Sequence, residues 1–189
     1  MKTCVTTVMI LVLLGGVCAA AQRARRPAQP EDTGPVTVMR SATLRVTIAS
    51  DTVGVFEYLS IPAKLAEWFP DQAIMEPQLG GRYHFRWKDK GGVWSGVVTE
   101  FVRGNTLAYT WLPPGEAFET NVRFKVVSQG AETVVELTHS GFASSAAQEE
   151  AVKTWTFYLR NLKSVVEDGT DLRPQVRQAP ARRATRPRR

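Results

Sequence analysis

The chain has little cysteine, little histidine and no nucleophile motif, and each shortage closes off a class of function. Its two cysteines, Cys4 and Cys18, both fall within residues 1–21. Beyond that stretch there is no disulfide, no thiolate metal site and no cysteine nucleophile to consider. The two histidines, His84 and His139, stand far apart without HxxxH or HxH spacing, so no metal site is expected. No GxSxG frames a serine for attack, and Gly80-Gly81 lack the phosphate-loop frame with its following lysine. Ser140 follows His139 directly, but neighbours on a strand point to opposite faces, a poor arrangement for a nucleophile and its base. No catalytic residue, metal or cofactor is assigned, and the chain reads as a binding domain rather than an enzyme.

Basic charge is also missing from the part of the chain that can fold. The net charge is +6, but residues 170–189 hold seven arginines and one aspartate, and residues 1–35 hold four basic and two acidic residues. Residues 36–169 are left slightly acidic, at −2. That balance, with export, argues against nucleic acid as a partner.

Long apolar runs are confined to the start. MKTCVTTVMILVLLGGVCAAA has one early lysine, the apolar run Val8–Leu14 and the small-x-small triplet Ala19-Ala20-Ala21. This predicts a signal peptide over 1–21, cleaved before Gln22, and an exported protein, periplasmic or secreted. The alternative is an uncleaved membrane anchor, for which about 18 residues is barely a span. Residues 22–35, QRARRPAQPEDTGP, read as a flexible linker. Residues 170–189, TDLRPQVRQAPARRATRPRR, read as a disordered Arg/Pro-rich tail. Its clustered Arg182, Arg183, Arg186, Arg188 and Arg189 suit an anionic envelope surface, or serve only as a solubilising end. No aromatic interleaves them, so base stacking has no support.

One domain is left, over 36–169. Ser41–Ala49 alternates and is β-branched, which predicts a strand. Ser50-Asp51 can cap a helix, and Pro62 divides VGVFEYLSIPAKLAEWF into two short helices. Then the period changes to two. In RYHFRWK, Tyr83, Phe85 and Trp87 point one way, and Arg82, His84, Arg86 and Lys88 the other. Further strands are predicted at Trp94–Val102, Thr106–Leu112, Phe118–Val127 and Thr133–His139, separated by glycine- and proline-rich turns. A long helix starts at Ser144/Ser145 and ends at Gly169, with Trp155, Tyr158, Leu159 and Leu162 on one face. The expectation is α+β: an antiparallel sheet with its helices on one face, the long helix covering the apolar side.

If the strand faces are as read, Trp68, Phe69, Tyr83, Phe85, Trp87, Tyr109, Trp111, Phe124, Trp155 and Tyr158 converge on one interior. Such a set either fills a core or lines a cavity with a few polar points. His139 shares a strand face with Val135 and Leu137. It is either an acid or base in that pocket or a residue holding the strand–loop junction. These eleven residues form the candidate ligand pocket.

Five stretches carry a resemblance: AKLAEWF (63–69), LGGRYHFRW (79–87), GVVTEF with LAYTW (96–101 and 107–111), LTHSGF (137–142) and WTFYLRNLKSVVEDG (155–169). In this order they resemble bacterial relatives of the C-terminal domain of the activator of heat-shock protein 90 ATPase, in the START-like (SRPBCC) superfamily. The resemblance spans 36–169. It implies a helix-grip fold, a curved antiparallel sheet wrapped round a long C-terminal helix, with a hydrophobic cavity between them. The function it implies first is binding of a small apolar ligand. The alternatives are a protein-interaction or chaperone-activator-like module, and a cyclase- or dehydratase-type enzyme using the same cavity.

Overall fold

The computed structural model describes residues 39–178. The expected signal peptide, the alternative anchor, the linker and the five arginines from Arg182 to Arg189 lie outside those residues.

The described chain runs β1 (Arg40–Ile48), α1 (Thr52–Ser60), α2 (Pro62–Trp68), β2 (Gln72–Met75), β3 (Arg82–Arg86), β4 (Trp94–Val102), β5 (Thr106–Trp111), β6 (Thr120–Gln129), β7 (Glu132–Phe142), α3 (Ser145–Asp168) and α4 (Arg173–Gln178). The strands form one antiparallel sheet in the order β1-β7-β6-β5-β4-β3-β2. The sheet is curved, with the long α3 packed along it: an α+β helix-grip fold.

Local chemistry explains the starts of three helices and the end of the longest. Asp51 caps α1, its Oδ1 accepting from the backbone N–H of Val53 at 3.0 Å and of Gly54 at 2.9 Å. Pro62 opens α2, where a missing N–H costs nothing. Ser144 Oγ caps α3 by accepting from Ala147 N at 3.2 Å, and Gly169 closes it in the left-handed region at φ 66°. In β3 burial alternates strictly: Tyr83 and Phe85 face in, while Arg82, His84 and Arg86 face out. The long helix also protects an edge of the sheet. Gln148 Nε2 donates to Ser41 O (2.7 Å), Lys163 Nζ to Thr47 O (2.6 Å), and Glu167 Oε1 accepts from Ala49 N (2.6 Å). Part of the outward backbone at the two ends of β1 is thereby occupied rather than offered to another strand.

Two elements differ from the sequence reading. β2 is too short, at four residues, to show a period, and it exists because it pairs with β3 through Gln72↔Arg86 to Met75↔Tyr83. The second difference corrects the domain boundary. Residues 170–178, placed in the disordered tail, are ordered against the domain, and α4 lies within them. Smaller shifts are that β6 begins at Thr120 rather than Phe118, and β7 runs on to Phe142.

The core lies between the sheet and α3, with Phe69 at its centre. The Phe69 ring lies within 6 Å, centroid to centroid, of Trp68 (5.2 Å), Phe85 (5.8 Å), Trp87 (5.2 Å), Trp111 (5.9 Å), Trp155 (5.0 Å) and Tyr158 (4.8 Å). The contacts mix edge-to-face and stacked geometries, both favourable for aromatic quadrupoles.

Candidate functional site

The sheet–helix interior is filled rather than hollow. Trp68, Phe69, Tyr83, Phe85, Trp87, Tyr109, Phe124 and Tyr158, eight of the eleven residues of the candidate pocket, are buried in the aromatic cluster. Their polar tips are mostly spoken for inside it. Trp68 Nε1 donates to Tyr58 O (2.8 Å), Trp87 Nε1 to Phe69 O (3.0 Å), and Tyr83 Oη to Thr110 O (2.7 Å). Burial raises the phenol pKa of all three tyrosines, taking Tyr158 to about 12, so each stays neutral.

Open space lies at one end of the cluster instead. A cavity of about 440 Å³ is bounded by the Lys90–Trp94 loop, the β5–β6 connection, the end of β7 and the first half of α3. Trp111, His139 and Trp155 line it, joined by Trp94, Pro113, Phe118, Phe142, Ala143, Ala147 and Ala151. Its polar points include Lys90, Glu116, Thr120, Glu150 and Thr154. Gly141, at φ +96°, turns the chain along its wall, a conformation that suits a residue without Cβ. Sequence reasoning missed most of this wall. Ala147 and Ala151 did carry a usable signal, since they lie on α3 two turns and one turn before Trp155. Small residues there leave space where the rest of that face is bulky.

His139 is buried at the boundary between cluster and cavity, and both ring nitrogens are engaged. Trp155 Nε1 donates to Nδ1 at 2.9 Å, and Thr120 Oγ1 lies 2.8 Å from Nε2. An indole N–H can only donate, so Nδ1 is unprotonated and the proton sits on Nε2. Nε2–H then donates to Thr120 Oγ1, which donates in turn to Trp111 O at 3.0 Å. The relay ties β5, β6, β7 and α3 together around a neutral imidazole. It leaves His139 no spare nitrogen to serve as a base. Burial lowers its pKa from the ordinary 6.5 to about 4.

That shift has a consequence for stability. Above pH 6.5 neither folded nor unfolded chains protonate this histidine, and its contribution is constant. Between 6.5 and 4 only the unfolded chain takes up the proton, so stability falls as pH falls. The total loss is about 3 kcal/mol. Urea midpoints measured across this window should drop for the wild type and drop less for His139→Gln, whose amide can keep one acceptor and one donor. Equal slopes for the two proteins would remove His139 as the cause.

The residues beyond α3 form a strap next to the site. The buried Arg173 guanidinium donates to Pro70 O (2.7 Å), Glu67 O (2.8 Å), Ala66 O (3.0 Å) and Phe69 O (3.4 Å), covering the carbonyl end of α2. Asp171 holds it from the other side at 2.9 Å. Arg177 pairs with Asp71 through two hydrogen bonds of 3.0 and 2.8 Å. Burial alone would raise Asp71, but Arg177 and the backbone N–H of Lys88 outweigh it and hold the carboxyl below its ordinary value. Asn161, fully buried in α3, completes the network: its Nδ2 donates to Trp68 O (2.7 Å) and its Oδ1 accepts from Leu172 N (2.6 Å).

Comparisons with known proteins agree with this architecture. The family described as "Activator of Hsp90 ATPase homolog 1-like protein" matches residues 53–167. Among solved structures, protein MLL2253 of Mesorhizobium loti is 24% identical with a TM-score of 0.62, over 70% of this chain and 100% of its own. The Aha1 protein of Colwellia psychrerythraea, solved as a dimer, is 19% identical with a TM-score of 0.63, over 69% and 98%. CalU16 of Micromonospora echinospora is 19% identical with a TM-score of 0.60, over 70% and 82%. At these identities the structures are similar in fold alone. A comparison with curated proteins finds no match. The chain belongs to the activator of Hsp90 ATPase homolog 1-like family.

Proposed function

We propose that this family member binds a small, mainly apolar molecule in the cavity beside His139. The observation that carries the reading is a cavity of about 440 Å³ walled by Trp94, Trp111, Phe118, Phe142, Ala147, Ala151 and Trp155, beside the packed aromatic cluster. Its volume falls in the ordinary range for small-molecule sites, roughly 300–1,000 Å³, and its wall is aromatic and aliphatic with a few polar points. Export, and weak adhesion of the terminal arginines to an anionic envelope surface, belong to the same proposal and rest on residues outside the described ones.

Native mass spectrometry of protein purified gently from an exporting host tests it. The expected result is a small-molecule mass excess that disappears on denaturation. Ala151→Phe, which puts a ring into the cavity from the α3 wall, should abolish the excess. Its urea midpoint should change little, because the added volume enters open space rather than a packed core. A clean mass in the wild type, still clean after exposure to envelope lipid extract, would sink the reading.

A further inference from the structure

The tryptophans divide into two groups by what their N–H groups do. Trp68, Trp87 and Trp155 donate to Tyr58 O, Phe69 O and His139 Nδ1. The other two of the five, Trp94 and Trp111, line the cavity, and among the described residues neither indole N–H meets an acceptor. No fully buried side-chain polar atom among the described residues lacks a partner, so both N–H groups reach open space. Both residues border the cavity.

A third donor stands at the same wall. Lys90 Nζ lies over the rings of Trp87 (5.3 Å) and Trp94 (5.8 Å) and, among the described residues, forms no ion pair. Desolvation lowers its pKa, and the nearby Arg177 lowers it further, against Asp89 and Glu150, which raise it. Lys90 is itself exposed, so solvent screens its charge, but an ammonium held over two rings at the cavity still gains from an anion that hydrogen-bonds to it. The two carboxylates at the cavity are exposed as well. Glu150 is 73% exposed and faces Lys153 at 3.6 Å, and Glu116 is exposed on the β5–β6 connection. Charges so well solvated repel an incoming anion only weakly.

We propose that the cavity's occupant carries a carboxylate, received by Lys90 Nζ and the indole N–H groups of Trp94 and Trp111, with its apolar body against Phe142, Ala151 and Trp155. This rests on the small-molecule reading above and narrows it to amphiphilic acids. Donors without acceptors at one wall select an acceptor group, and the positive charge selects an ionised one over a neutral carbonyl. The aliphatic and aromatic remainder of the wall takes the apolar part by burial alone.

Titrations with decanoate, decanol and decylamine, below their micelle concentrations, test the point on the full chain and on Lys90→Met. Binding is followed by tryptophan fluorescence and calorimetry. Methionine keeps the stem that packs on Trp87 and removes the charge. The expected result is that decanoate binds the wild type about tenfold more tightly than decanol, the range of a charged hydrogen bond. In Lys90→Met the two should become equal through loss of decanoate affinity, with decanol unchanged. If decanol binds as tightly as decanoate, the apolar site stands and the carboxylate assignment falls. If decylamine binds tightest, Glu116 and Glu150 dominate, and the assignment falls in the same way. A decanoate preference that survives in Lys90→Met removes Lys90 from the site. If none of the three binds, and the native mass of the wild type is also clean, the small-molecule reading falls with it.

Discussion

Phe69→Ala is expected to destabilise the domain by about 3–5 kcal/mol, the range for a large buried aromatic cut back to a methyl. The ring touches six other aromatic side chains at 4.8–5.9 Å between centroids, drawn from α2, β3, β5, α3 and the chain after β3. Removing it leaves a void bounded by rigid rings, which have few ways to collapse into it. Urea unfolding reads the loss. Phe69→Leu should cost much less, since a branched side chain refills most of the volume. A loss well under 1.5 kcal/mol for alanine, estimated against that same scale, would mean that the sheet–helix interior is loosely filled. The cluster would then revert to the hollow that the aromatic pattern also allowed.

The second large effect concerns Arg173. Arg173→Ala removes the donors from four carbonyls at the end of α2 and leaves Asp171 beside a vacated buried position. Asp171 is partly exposed and keeps the Asn161 donor, so the cost comes mainly from the carbonyls left without donors, about 2–3 kcal/mol. A chain ending at Gly169, the boundary suggested by composition, should lose at least as much, because it also removes the Arg177–Asp71 pair and the Leu172 N–H that satisfies Asn161. A chain ending at Gln178 should keep its full urea midpoint. If the chain ending at Gly169 is as stable as the one ending at Gln178, the strap rests on the surface without holding the fold.

These two residues show how unevenly the structure could be read beforehand. Phe69 was legible as a core or pocket residue because it follows AKLAEW with helical spacing and no polar neighbour to excuse it. Arg173 was illegible. In a window of prolines and arginines it looks like its neighbours in the tail, and composition averages it with them. Its role depends on four carbonyl oxygens about a hundred residues earlier in the chain, and no local pattern records them.

The candidate site divides in the same way. That Tyr83, Phe85, Tyr109, Phe124 and Trp155 face one interior follows from alternation along strands and spacing along a helix, and it holds. Whether that interior is filled depends on how rings from different elements interlock, and here they close on Phe69. The cavity arises where the interlocking stops, at the end of β7 and the start of α3. Its wall draws on Lys90 and Phe118 from loops without periodicity and on Trp94 from the first position of β4.

By itself, then, the sequence determined the order of the elements other than β2 and α4, the inward faces of the strands, the caps at Asp51, Ser144 and Gly169, and the family. These are properties of short windows, set by backbone geometry and by the period of apolar side chains. Only the tertiary structure decided that the aromatic interior is packed, that the open space sits beside it, that His139 is a neutral link between Trp155 and Thr120, and that residues 170–178 belong to the domain. Each of these depends on atoms distant in the chain meeting within a few ångströms, and packing and hydrogen-bond geometry at that range leave no trace in local pattern.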